Sequence, residues 1–271
     1  MATRKAGSAA KKTTRSKSQP TKTTVTTVKT ETASASSAPT SKLRMLNSDL
    51  SSSFIGEFIG AFALVSAFLL IRGGDPLVMG FVLVALVLMV GTLSGAHLNP
   101  LITVGAWVTR RLDHLRTVGY LAAQLLGAGA AFVLLSTYLN GAPVEAGAVT
   151  QPLREVFSLV PLAEETKWYI FAAEVLGASI FAFAFASVYR ATTDRVTRAL
   201  TIGFGFFVAA FIAGIVASYV GGQVAINPAI ALAASAVDWT DIDWFAVVTY
   251  LGAPLVGGVI GFALRDVVET K

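Results

Sequence analysis

Six apolar runs dominate this 271-residue chain, at roughly 53–71, 76–93, 115–139, 167–189, 198–220 and 243–264. Each is about 18–25 residues long, which as a helix crosses about 30 Å of hydrocarbon. Backbone inside lipid must satisfy its own N–H and C=O groups, and runs of this length do so as helices. A composition of 54% hydrophobic and 14% charged residues, with a mean hydropathy of +0.68, excludes an ordinary soluble domain. The expected fold class is an all-α membrane protein with six transmembrane helices.

Two further apolar segments, about 99–108 and 227–237, are too short to span, and each begins at Asn-Pro. The first lies in Ser94-Gly95-Ala96-His97-Leu98-Asn99-Pro100-Leu101, the second in Gln223-Val224-Ala225-Ile226-Asn227-Pro228-Ala229-Ile230. Asn is a preferred N-cap and Pro suits the first turn, so each pair predicts a half-helix starting among the spans. Short, Pro-interrupted segments at matching places in two halves point to a midplane site between inverted repeats, and hence to a pore. The halves run over about 53–139 and 167–264. Glu57-Phe58-Ile59-Gly60-Ala61 in the first matches Glu174-Val175-Leu176-Gly177-Ala178 in the second, each followed by another span and then Asn-Pro. Three spans per half is an odd number. The halves are therefore oppositely oriented, and the short helices enter from opposite sides.

Charge assigns the sides. With the N-terminus inside, the cytoplasmic segments are the tail, Arg110/Arg111/Arg116, Arg190/Arg195/Arg198 and Arg265/Lys271. Of the 21 basic residues, the outside keeps only Arg72, Arg154 and Lys167, beside the acidic Asp238, Asp241 and Asp243. The positive-inside rule then predicts a multi-pass protein with both termini cytoplasmic. The connection at about 140–166 is long enough for a short surface helix.

Nearly half of the basic residues precede residue 46, opposed there by Glu31 alone. Residues 1–48, rich in Thr, Ser, Ala and Lys, read as a disordered basic tail that cannot bury enough surface to fold. The same composition fits an organellar transit peptide, but without an amphipathic pattern; no secretory apolar core follows the first charges. Such a tail suits anionic lipid headgroups. Since the net charge of +5 is concentrated in the tail, no nucleic acid partner is expected. Residues 49–268 form the expected channel domain.

The chain has no Cys and two His, His97 and His114, which excludes thiol chemistry, disulfides and a His-rich metal site. No nucleophile, base or metal cluster converges on the apolar core, so neither an enzyme nor a cofactor is implied. Glu57 and Glu174 are ionisable residues inside spans. They serve either proton coupling or, more simply, as hydrogen-bond acceptors for the backbone of the re-entrant loops. Gln124 reads as a structural hydrogen-bonder, and His97 as a pore-facing residue or a local cap. Gly56, Gly60, Gly127, Gly177 and Gly214 permit close approach of helices. Three functions suit this pattern: a passive channel, an ion- or proton-coupled secondary transporter, and a non-conducting structural membrane protein of the same fold.

Over residues 53–265 the chain resembles the aquaporin and glycerol-channel family, the major intrinsic proteins. The resemblance rests on Ser94 to Pro100, on Asn227-Pro228-Ala229, on Glu57 and Glu174, and on Ala123-Gln124-Leu125-Leu126-Gly127-Ala128. Gly252-Ala253-Pro254-Leu255-Val256-Gly257-Gly258 resembles the sixth-span motif, one residue out of step. The resemblance implies an inverted-repeat hourglass of six spans and two half-helices meeting at the midplane. It also implies a homotetramer in the cell membrane that passes water or small neutral solutes. Asn99, Pro100, Leu101, Asn227, Pro228 and Ala229 would form the pore midplane and His97 would line the pore. Glu57, Glu174 and Gln124 would be buried structural residues. By the family's spacing the selectivity filter falls on Met79, Ile215, Val224 and Ile230. Ile230 stands where the family has Arg, Ile215 where water channels often have His, and Gln223 where Gly is usual. Leu101 stands where Ala is usual, at the touching tips. An apolar filter predicts weakened water specificity and easier passage of larger neutral solutes.

Overall fold

The structure, a computed structural model, describes residues 39–71, 74–141, 159, 161–189, 193–236 and 242–269. The tail before Pro39, the connection 142–158 with Arg154, and Arg72, Arg190, Asp238, Asp241 and Lys271 lie outside the described residues. The described residues are helical apart from turns and loops. Five spans are α1 (Pro39–Leu70), α2 (Pro76–Ser94), α4 (His114–Gly141), α5 (Lys167–Tyr189) and α6 (Arg195–Ser218). The sixth comprises α8 (Trp244–Val247), a π-helical turn (Val248–Gly252) and α9 (Ala253–Glu269). The two short helices are α3 (Pro100–Val108) and α7 (Pro228–Ala233). α1 reaches back into the segment read as tail, because Pro39 suits a first turn and Lys42-Leu43-Arg44-Met45-Leu46 are strong helix formers.

Side-chain caps start several helices. Asp75 accepts from Val78 N at 2.9 Å and Asp243 from Phe245 N at 2.8 Å. Asp194 caps α6 by accepting from the Thr197 hydroxyl and from Val196 N and Thr197 N. Those bonds, the Thr197 hydroxyl first, hold its carboxyl below the usual carboxylate range.

The internal repeat is written in the backbone. Leu98 and Ile226 have φ of 51° and 49°, in the left-handed region that side chains rarely adopt. Each is followed by an extended Asn, Asn99 at φ −154° and Asn227 at φ −160°. Each short helix also ends alike. Arg110 (φ 58°) and Ser235 (φ 51°) reverse the chain, and the next amide reaches back to Ala106 O at 2.7 Å or Ala231 O at 2.9 Å. These are Schellman-type closures, and they satisfy carbonyls that the end of each half-helix would otherwise leave unpaired.

Small residues set the packing. α2 crosses α6 at Gly80 and Gly203, where a Cβ on Gly80 would stand 3.1 Å from Gly203 O. α9 lies along α5, with Gly257 over Val175 O and Gly261 over Ser179 O. α3 is wedged between α4, α5 and α9, while α7 packs on α4 and the π-turn. Each half-helix is thus gripped by spans of both repeats. The π-turn explains the sixth-span motif's being out of step. The Ala253 N–H bonds Val248 O, five residues back, and a π-turn accommodates one extra residue. Gly257, Gly258 and Gly261 therefore keep their faces toward α5 and α3.

A Cβ on Gly258 would lie 2.5 Å from Leu101 O and 3.3 Å from Leu101 Cβ. Gly258→Val is expected to overpack this crossing and cost about 1–3 kcal/mol. The check is thermal unfolding of the detergent-purified protein, where an unchanged midpoint would show that α3 and α9 can separate freely.

Candidate functional site

Two loops, 95–99 and 221–227, carry non-helical backbone into the middle of a helical bundle. Such backbone needs acceptors for its N–H groups. Glu57 on α1 supplies them to the first loop: Oε1 accepts from His97 N at 2.9 Å and Oε2 from Leu98 N at 2.7 Å. The Ser94 hydroxyl and Gln124 Nε2 complete the carboxylate at 2.6 and 2.7 Å. Glu174 on α5 does the same for the second loop, accepting from Ala225 N at 2.5 Å and Ile226 N at 3.0 Å. Gln124 also donates to Thr103 Oγ1 at 2.9 Å, tying α4 to α3. All three side chains are completely buried.

The loops meet tip to tip. Asn99 Oδ1 accepts from Leu101 N, and Asn227 Oδ1 from Ala229 N and Ile230 N, so each side chain caps its own half-helix. The amide nitrogens cross over: Asn99 Nδ2 donates to Ile226 O at 2.8 Å and Asn227 Nδ2 to Leu98 O at 3.2 Å. The left-handed Leu98 and Ile226 are the residues whose carbonyls receive these bonds. Pro100 and Pro228 begin the helices behind them, with Ala229 sealed in the core. Leu101 does not force the tips apart. It is fully buried with its backbone against Gly258 of α9, where a missing side chain makes room, and both crossing bonds are kept.

The two ends of the bundle differ. Beside the second loop, a cavity of about 420 Å³ is lined by residues of α1, α2, α6 and the loop, including Phe68, Met79, Phe206, Gln223 and Val224. Met79 and Val224, two of the four residues expected at the filter, line its wall. Ile215 does not: it is 42% exposed on another face of α6. The cavity stripe on α6 is Phe206, Ala210, Gly214 and Ser218, spaced by four, and Ile215 is turned from it by one residue of helix. Gly214 is accordingly no packing glycine; a Cβ there would meet nothing within 4 Å. Ile230 is also displaced from the expected filter. It lies in the core at 0% exposure and is not a lining residue, so an Arg at this position would bury an unpaired charge.

At the first loop's end, His97 is packed rather than open, at 2% exposure. Its ring lies edge-on to Tyr120 and Phe185, at 5.2 and 5.5 Å between centroids, and 5.6 Å from Tyr189; Nδ1 is 3.2 Å from Thr103 Oγ1. Beyond it Arg111 pairs with Asp266 and stacks on Tyr189 and Phe262. Sequence reasoning missed this aromatic wall and the α6 stripe. The four-residue spacing from Phe206 to Ser218 was the available signal for the stripe.

The family model for major intrinsic proteins matches residues 45–264. The chain is 27% identical over 156 residues to aquaporin AqpM of Methanothermobacter marburgensis, covering 56% of this chain and 58% of that protein. It is 29% identical over 227 residues to aquaporin-B of Dictyostelium discoideum, covering 72% and 74%. The matched stretch is thus less than two thirds of the first relative's length. The structure of the aquaglyceroporin from Plasmodium falciparum superposes with a TM-score of 0.56 at 18% identity, covering 82% of this chain and 96% of that one, a likeness of fold.

Glu57→Leu removes the acceptor for four donors and Glu174→Leu for two. Each stranded buried donor costs about 1–3 kcal/mol, so both variants should melt lower and Glu57→Leu lower still. Glu→Gln at either site retains one acceptor oxygen and should be milder. Equal melting of Glu57→Leu and the parent protein would mean that the loop is held by other means.

Proposed function

Because the chain belongs to the major intrinsic protein family, we propose that it is a passive transmembrane channel for water and small neutral solutes such as glycerol, urea and ammonia. The observation that carries this reading is the pair of crossing amide bonds at the loop tips. An Asn amide has two N–H donors and the opposing loop takes one. The second, on each of Asn99 and Asn227, serves a passing water or hydroxyl oxygen. A water held by two such donors presents its lone pairs to the protein and does not relay a proton in line. Pro100, Leu101, Pro228 and Ala229 hold the tips at this spacing. Transport of this kind needs no catalytic step and no cofactor.

The cavity beside the second loop is the entry for solute. Its lining of Phe68, Met79, Phe206 and Val224, relieved by Ser218 and Gln223, suits solutes with one apolar edge and one hydrogen-bonding edge. Residues 49–268 constitute the channel domain. The distribution of basic residues supports an orientation with both termini cytoplasmic in the cell membrane, and with the cavity outside. A homotetramer with one pathway per subunit accounts for the many exposed apolar side chains, shared between lipid and neighbouring subunits. The basic tail is assigned to anionic lipid at the inner surface.

Stopped-flow light scattering of proteoliposomes should show water and glycerol passing faster than through protein-free vesicles. Passage at the lipid background for water, glycerol, urea and ammonia alike would reject the channel. Gly214→Leu places a side chain in open cavity space, and should slow glycerol strongly and water less. If both solutes are unaffected, the cavity is not on the path.

A further inference from the structure

The first half-helix ends in a tight corner. α3 stops at Val108, Arg110 turns the chain with φ 58°, and the amides of Arg111 and Leu112 both reach back to Ala106 O. Asp113 then opens α4, accepting from Arg116 N at 2.9 Å. The corner is pinned from both sides. Trp107 Nε1 donates to His114 Nδ1 at 2.8 Å, and the Arg111 side chain, 3% exposed, pairs with Asp266. An open recess of about 550 Å³ is lined here by Trp107, Arg110, Arg111, Asp113 and His114 among others. It shares no lining residue with the 420 Å³ cavity.

The recess suits an anion. Arg110, Arg111 and Arg116 stand against two carboxylates, and both of these are engaged, Asp266 by Arg111 and Asp113 by the side chain and amide of Arg116. An indole N–H only donates, so His114 Nδ1 is its acceptor and the ring carries its proton on Nε2, a further donor among the lining groups. Guanidinium and imidazole N–H groups match phosphate oxygens. The first turn of α4 adds a partial charge of the same sign.

An apolar face leads away from the recess. On α4, Leu115, Val118, Ala122 and Leu125 are exposed at spacings of three and four, a stripe that runs from the corner into the span. Trp107, 40% exposed, lies where that stripe begins, and indole rings favour this level of a membrane. A phospholipid can use the donors and the stripe together, whereas a free anion can use the donors alone.

We propose that the α3–α4 corner is a binding site for the phosphate headgroup of an anionic phospholipid, whose acyl chains lie along the exposed stripe of α4. Trp107 is in the last turn of the half-helix that begins at Asn99, so a lipid bound here buttresses that half-helix from the membrane surface. The site is separate from the basic tail, because its groups belong to residues 107–116.

The probe is phosphatidylglycerol brominated on its acyl chains, added to the full chain in detergent, with brominated phosphatidylcholine as the zwitterionic comparison. Bromine quenches indoles that it touches. The Trp107 signal, obtained by subtracting a Trp107→Phe counterpart from each protein, therefore reports this site and not lipid gathered by the tail. The signal left in Trp107→Phe, from Trp168 and Trp244 among others, is the internal control. Half-quenching of the Trp107 signal should need about fivefold less phosphatidylglycerol than phosphatidylcholine, for one net basic charge at the surface. Arg110→Asn, whose side chain accepts the left-handed turn, should erase that preference, and Arg110→Lys should keep most of it. Equal quenching by the two lipids in the parent, a preference that Arg110→Asn leaves intact, or the same preference in the control signal overturns the proposal. Inorganic phosphate at the lipid's concentration should leave the quenching in place; displacement by it would make the recess a site for free anions and overturn the lipid assignment.

Discussion

Two carboxylates holding two strips of unpaired backbone are the constraint on which the rest of this structure depends. A loop that enters the apolar middle of a bundle strands its amides, and each stranded amide costs more than a typical hydrogen bond returns. Glu57 and Glu174 remove that cost in the same way, each offering two oxygens to two successive N–H groups. Once the loops are held, the half-helices can start at Asn99 and Asn227. Once the half-helices start, their caps can meet and exchange bonds across the midplane. Removing the carboxylates would remove the reason for the left-handed turns at Leu98 and Ile226.

The repeats are alike in backbone and unlike in support. Glu57 is surrounded by Ser94, Gln124 and the His97–Leu98 amides, and the neighbouring Tyr120 hydroxyl bonds Ser94 O at 2.7 Å. Among the described residues Glu174 accepts from the two loop amides only, and the sixth span beside it is wound as a π-turn. This asymmetry has a geometric effect. The first loop is packed into aromatic rings, whereas the second borders an open cavity with a glycine in its wall. The surroundings of the two loops therefore differ in packing and openness although the loops arise from one duplicated plan.

Much of the plan could be read from the residues. The six spans, the two half-helix starts, the opposed halves and the pairing of Glu57 with Glu174 all follow from run length, capping chemistry and order along the chain. Of the four residues expected at the filter, two line the cavity and two do not. Met79 and Val224 reach the cavity, but Ile215 and Ile230 do not, because one residue along a helix turns a side chain through about 100°. Counting from a motif fixes a position to within a residue, and a cavity wall is sensitive to that residue. Gly214 was read as a packing glycine for a related reason: small size serves both close approach and open space, and only the neighbours tell them apart.

The sequence by itself determined the solvent, the number of crossings and where helices begin inside the bilayer, since these depend on local apolarity and on groups within four residues of one another. Tertiary structure alone decided what those helices face. The acceptors of the loop amides come from about 40 and 50 residues away, and the bonds between tips join residues more than 120 apart. Such pairings depend on the phase of each helix and on which neighbours lack side chains, as Gly258 does for Leu101. Phase is a property of contact between helices, and no run of residues carries it alone.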